Sequence, residues 1–163
     1  MTLTGDWTRL AKALGRLART NTEEIAQQIG ESLLNSTRRR FTEGKGPDGE
    51  AWPKSARVQA KGGQTLVHRR RLERSITYKV SPGRVDVGTN DKRAAVHQEG
   101  KTIKPRRAKA LRFRVPAKSA RKKWAWATVK SVTMPARPFI GISTEDQEAV
   151  DQIIAEYVKE RVR

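Results

Sequence analysis

The apolar residues of this chain change period twice, and that change limits the folds open to it. Before about residue 42 they recur at helical spacing. From about 76 to 126 they alternate with polar residues, as in half-buried strands. After 143 the helical spacing returns. Helices, then strands, then a helix predict an α+β fold with an antiparallel sheet, not alternating βαβ units. The 163 residues suit one domain with its own apolar core. Within it the patterns mark a helical region over 1–42, a loop-rich stretch over 43–74, a β region over 75–142 and a C-terminal helix over 143–163. No internal repeat is visible.

Local signals refine this order. Trp7, Leu10, Ala11, Leu14, Leu17 and Ala18 predict a helix from Thr4 to about Ala18, with Gly15 weakening it. Thr20 and Glu23 have capping-box spacing ahead of a second helix, whose apolar stripe runs through Ile25, Ile29, Leu33 and Phe41. Arg38, Arg39 and Arg40 sit near its end, where cations suit the helix dipole. Gly46-Pro47-Asp48-Gly49 is a turn, and Trp52 predicts a loop anchored on the core by one aromatic. Ile76, Tyr78 and Val80, then Val85 and Val87, predict an antiparallel hairpin. Pro82-Gly83 suits a type II turn, so the connection should be longer than two residues. A third strand is expected from about Ala94 to Gln98, a fourth at Leu111, Phe113 and Val115, and a fifth from Trp124 and Trp126. Ser143 and Thr144 offer caps for a last helix with Val150, Ile153, Ile154, Tyr157 and Val158 on one face.

Charge bounds the partners. Thirty-five Lys and Arg face 17 Asp and Glu, a formal +18, which predicts polyanionic partners: DNA, RNA or acidic protein surfaces. No acidic residue lies between Glu99 and Glu145. That interval holds Lys101, Lys104, Arg106, Arg107, Lys109, Arg112, Arg114, Lys118, Arg121, Lys122, Lys123, Lys130 and Arg137, with Trp124 and Trp126 following its densest run. Cations interleaved with aromatics can neutralise phosphates and stack bases. They equally form a solvated loop, or a long basic hairpin that docks on acidic protein. No RNA-recognition, KH, zinc-finger or helix-turn-helix motif is present. An apolar content of 36% is low, which suits a surface covered only within an assembly.

Catalysis finds no foothold. The chain has no Cys, and His68 and His97 are too far apart in sequence to form a local metal motif. Gly44 to Gly49 lacks the phosphate-loop pattern. His97 with Ser75 or Ser81, and Asp86 with Asp91 and Glu99, have no spacing that fixes an active site, and His97 reads as a hydrogen-bonded structural histidine. No metal or cofactor is implied. The first residues lack a basic start followed by an apolar run, and no segment approaches about 20 apolar residues. The expectation is a soluble chain, made in a reducing cytoplasm and not bound to a membrane.

Several separated stretches share an order with one known family. They are Arg40-Phe41 with Gly46-Pro47-Asp48-Gly49-Glu50-Ala51-Trp52; Leu72-Glu73-Arg74-Ser75-Ile76; Val85-Asp86-Val87-Gly88-Thr89; Ala94-Ala95-Val96-His97-Gln98-Glu99-Gly100; and Pro135-Ala136-Arg137-Pro138-Phe139-Ile140-Gly141-Ile142-Ser143. In these the chain resembles the phage virion morphogenesis family, which includes tail-completion proteins of contractile-tailed phages and Mu-like morphogenesis proteins. It departs from the pattern at Arg69-Arg70-Arg71, Arg93 and Glu99. The resemblance implies a small α+β subunit without catalysis that finishes the tail or joins it to the head. It also implies a ring of copies of itself, often sixfold, in contact with other phage neck and tail proteins. The basic stretch adds packaged DNA as a further expected contact. The alternative is a basic nucleic-acid-binding protein acting through Lys101, Arg106, Arg107, Arg112, Arg114, Arg121, Lys122 and Lys123.

Overall fold

The structure, a computed structural model, describes residues 22–116 and 124–162. The helix expected over 4–18, the cap at Thr20 and the run Arg121-Lys122-Lys123 lie outside the described residues. In chain order the described elements are α1 (Thr22–Glu43), α2 (Ala56–Lys61), α3 (Arg71–Arg74), β1 (Ile76–Ser81), β2 (Arg84–Thr89), α4 (Ala94–Glu99), β3 (Lys101–Ile103), β4 (Leu111–Pro116), β5 (Trp124–Val129), β6 (Val132–Met134) and α5 (Thr144–Val162). The class is α+β, with helices toward the two ends of the chain and short antiparallel strands between them.

The strands form three two-stranded ladders: β1 with β2, β3 with β6, and β4 with β5. In the second, Lys101, Thr102 and Ile103 face Met134, Thr133 and Val132. In the third, Leu111 to Pro116 runs against Val129 to Trp124 over six pairs.

The chain divides into two compact units, each assembled from separated segments. One contains residues 22–36, 77–88 and 142–162. Its packing centres on Tyr157, 7% exposed, and on Gly30, whose missing side chain leaves room for the Tyr78 ring: a Cβ there would lie 2.3 Å from Tyr78 Cδ2. Ser143 and Asp146 cap α5 reciprocally. Ser143 Oγ accepts from the Asp146 amide at 3.2 Å, and the Asp146 carboxylate accepts from the Ser143 amide at 2.9 Å. The other unit contains 37–76 and 89–141, the latter described up to 116 and from 124. Its core is Phe41, Trp52, Leu72, Ile76 and Phe139, all buried. Phe41 meets Trp52 at 5.4 Å and Phe139 at 5.3 Å between ring centroids, both edge to face.

Two expectations are overturned. Residues 94–99 form the helix α4 and not a strand. Asp91 starts it, its carbonyl accepting from the Ala94 amide at 2.8 Å and its carboxylate from the Arg93 amide at 3.0 Å. Gly100, at φ 72°, stops it. The β1–β2 connection is two residues, Pro82-Gly83, because Gly83 takes the left-handed position at φ 68° and lets the strands close at once. Within the loop-rich stretch after residue 43, Ser55 caps α2 by accepting from the Val58 amide, and α3 forms a single turn.

Candidate functional site

Residues 135–141 form no helix or strand in their unit, so their backbone polar groups need other partners. Side chains from three distant segments supply them. Gln98 Oε1 accepts from the amides of Phe139 and Ile140 at 3.0 and 3.1 Å, while Gln98 Nε2 donates to the Ile140 carbonyl at 2.7 Å. Trp52 Nε1 donates to the Pro138 carbonyl at 2.7 Å. The buried Arg40 guanidinium donates to the carbonyls of Phe139 at 3.1 Å and Gly141 at 2.8 Å. The Arg137 amide donates to the His97 carbonyl, and Arg137 Nε to the Pro53 carbonyl at 2.7 Å. The segment is a strap, latched by Arg40 of α1, Trp52 of the loop and Gln98 of α4, with Phe139 driven into the core.

Two close approaches make the latch possible. Gly100 lies against the strap: a Cβ there would meet the Ala136 nitrogen at 2.7 Å and the Met134 carbonyl at 3.0 Å. Gly46 to Gly49 is a tight turn, with the Gly49 amide donating to the Gly46 carbonyl at 3.1 Å and Pro47 at its second position. Glu50 donates its amide to Asp48 Oδ1, and the Pro47 ring packs on Gly141, 2.7 Å from where a Cβ would stand. Pro47, Asp48, Gly49, Trp52, His97, Gln98, Gly100, Pro135, Ala136, Arg137, Pro138 and Phe139 thus come together, and the contacts they make are structural. Pro135 and Ala136 are exposed, Pro138 and His97 half-buried.

Beside the strap the same unit holds a cavity of about 430 Å3. Arg57, Arg69, Arg71, Arg93 and Arg137 line it with His68 and His97 beside Leu66, Leu72 and Met134, and none of the described lining residues is acidic. Arg93 is bound to Asp91, whose carboxyl it holds well below the usual carboxylate range. Burial pushes the Arg137 guanidinium pKa down. His97 is likewise pushed below its ordinary 6.5, by burial first and then by Arg137 and Arg93; against the expected hydrogen-bonded histidine, its Nδ1 is buried with no hydrogen-bond partner among the described residues. A cavity of this kind favours an anionic guest.

The other cations lie elsewhere. Lys101 is exposed on β3, and Arg106 and Arg107 are exposed between β3 and β4. Arg112 and Arg114 share one face of the β4–β5 ladder with Trp126, which faces Arg114 across the strands and is 59% exposed. Their guanidiniums lie 4.8 and 5.8 Å from the Trp126 ring centroid.

A model described as the phage virion morphogenesis family matches residues 5–159. The chain belongs to that family. No curated protein and no solved structure matches it. As a phage virion morphogenesis protein it has a structural role in the virion, and three of its five motif stretches, Arg40 to Trp52, Ala94 to Gly100 and Pro135 to Ser143, supply the strap and its latches. The sequence did not mark the cavity, whose arginines come from four separate segments. Its one signal was Arg69-Arg70-Arg71, a departure from the family pattern. Arg40 was also missed as a latch, since a cation near a helix end has a sufficient reason in the dipole. No described helix is long and apolar enough to cross a membrane.

Proposed function

We propose that this protein completes the phage tail or joins the tail to the head as a ring-forming subunit of the neck or tail terminator, without catalysis. It would assemble in the host cytoplasm from copies of itself and meet other neck and tail proteins. The family membership over residues 5–159 carries this reading. The convergence of three of the family motifs supports it: they hold a strap, which leaves the outer surfaces to neighbours. A reconstruction of the virion with this subunit placed tests the reading. The expected result is a closed cyclic ring, sixfold, at the head-proximal end of the tail. A subunit present singly in the virion would overturn it.

A second reading is favoured by one observation, the exposed Trp126 flanked by two guanidiniums. Such a face suits nucleic acid. The two roles are compatible, since a neck subunit can line the path of packaged DNA.

A further inference from the structure

The charge of the chain is not spread evenly: the two compact units have opposite signs. By sequence, residues 1–36, 77–88 and 142–163, the segments of the unit holding α5, carry nine Lys and Arg against 11 Asp and Glu, a net −2. Residues 37–76 and 89–141, the segments of the unit holding the strap, carry 26 against six, a net +20. Six of the 11 carboxylates lie on α5 alone.

α5 also leaves a face uncovered. Tyr157 and Asp146 are buried, but Gln147, Asp151, Ile154 and Val158 are exposed. Their spacing of four, three and four residues puts them in one strip along the helix. Ile154 and Val158 are 41% and 36% exposed, and Ile142, ahead of the helix, is 64% exposed. The strip is thus aliphatic with carboxylates beside it, Asp151 within it and Glu148 next to it. The cavity of the basic unit is its complement: aliphatic side chains beside arginines, and no acid among its described lining residues.

We propose that copies of this chain bind one another by seating the α5 strip of one copy in the arginine-lined cavity of the next. Ile154 and Val158 meet the aliphatic side chains of the cavity, while Asp151 and Glu148 meet Arg69 and Arg71. A second copy is the favoured occupant because one chain carries both halves of the complement. Each copy then offers a strip to one neighbour and a cavity to another, the arrangement that extends into a ring. The net +18 opposes association at long range. At about 0.15 M salt the Debye length is about 8 Å, so that repulsion is screened while contact pairs persist. The inference deepens the assembly reading above and rests on it only for closure of the ring.

Two charge-reversed full-length chains test it. One carries Glu148→Arg and Asp151→Arg, the other Arg69→Glu and Arg71→Glu; all four positions are exposed, and circular dichroism establishes folding. Sedimentation velocity at about 0.15 M salt should show association of the native chain and its loss in each variant alone. An equimolar mixture should regain it. Every contact is then complementary again: the reversed strip meets the reversed cavity, and the native strip meets the native cavity. A native chain that stays monomeric at the highest soluble concentration overturns the docking, as does association that both variants retain or a mixture that does not recover. Recovery that stops at a dimer leaves the docking standing and overturns the ring.

Discussion

At the scale of single residues, Gly30 and His97 show how a side chain's value depends on its neighbours. Glycine inside a helix normally costs about 1 kcal/mol relative to alanine. Gly30 sits in the middle of α1, where the Tyr78 ring occupies the space of a Cβ, with ring carbons at 2.3, 2.7 and 2.9 Å. The whole ring would have to move, and overpacking of this kind costs about 1–3 kcal/mol. Gly30→Ala should therefore lower the melting temperature, and the same change in a Tyr78→Ala background should raise it. Calorimetry on the four chains of this cycle gives both signs. His97 yields a pH prediction. Its folded pKa lies below its ordinary 6.5, so between the two values the unfolded chain binds more protons. The contribution is complete above pH 6.5 and is lost as the pH falls through the folded pKa. Asp91, also depressed, acts below its ordinary 3.8 and so in a separate window. The fall in melting temperature between about pH 7.5 and 5.5 should be smaller in His97→Asn than in the native chain.

Elements differ in how well the sequence announces them. α1 and α5 span 22 and 19 residues, enough turns for an apolar stripe to declare its period. α4 does not: over the six residues Ala94–Glu99, alternation and helical spacing look alike, and Ala94, Val96 and Gln98 mimic a strand. Its type is decided by the flanks, the Asp91 turn and Gly100. The strap is another case. Nothing in Pro-Ala-Arg-Pro-Phe states that Gln98, Trp52 and Arg40 will satisfy its backbone, because those pairs are 42 to 99 residues apart and only tertiary folding brings them together. Gln98→Leu keeps the volume and removes one acceptor and one donor. It leaves two amides and a carbonyl unmatched in a half-buried site, a loss of about 2–4 kcal/mol. A lowered denaturant midpoint at unchanged slope would establish it. In the β4–β5 ladder the testable quantity is stacking. Trp126→Ala should weaken binding of a single-stranded oligonucleotide about tenfold in a fluorescence titration, with little change in thermal stability, since the ring is mostly exposed. An unchanged affinity would remove nucleic acid as a ligand of that face.

For the whole molecule, the question is how the surplus positive charge is used. If the strip of α5 occupies the cavity of a neighbour, Arg69 and Arg71 are committed to protein. The basic stretch from Lys101 to Lys130 is then left for another anion. It carries no carboxylate, and its exposed Trp126 with Arg112 and Arg114 suits the bases and phosphates of packaged DNA better than a second acidic helix. Salt cannot separate these targets, because both contacts weaken as it rises. Location in the assembly can. Reversing Arg121, Lys122 and Lys123 to Glu changes three charges by −2 each and takes the chain from +18 to +12. A chain that still excludes like partners and keeps its docking residues should assemble. Complementing a phage that lacks the native gene with this variant should therefore give tailed particles in normal number by electron microscopy. Their heads should hold less DNA, and infectivity should fall with it. Tails that fail to join before any DNA is packaged would assign the stretch to a protein neighbour. Particles normal in joining, DNA content and infectivity would leave it a solvated loop.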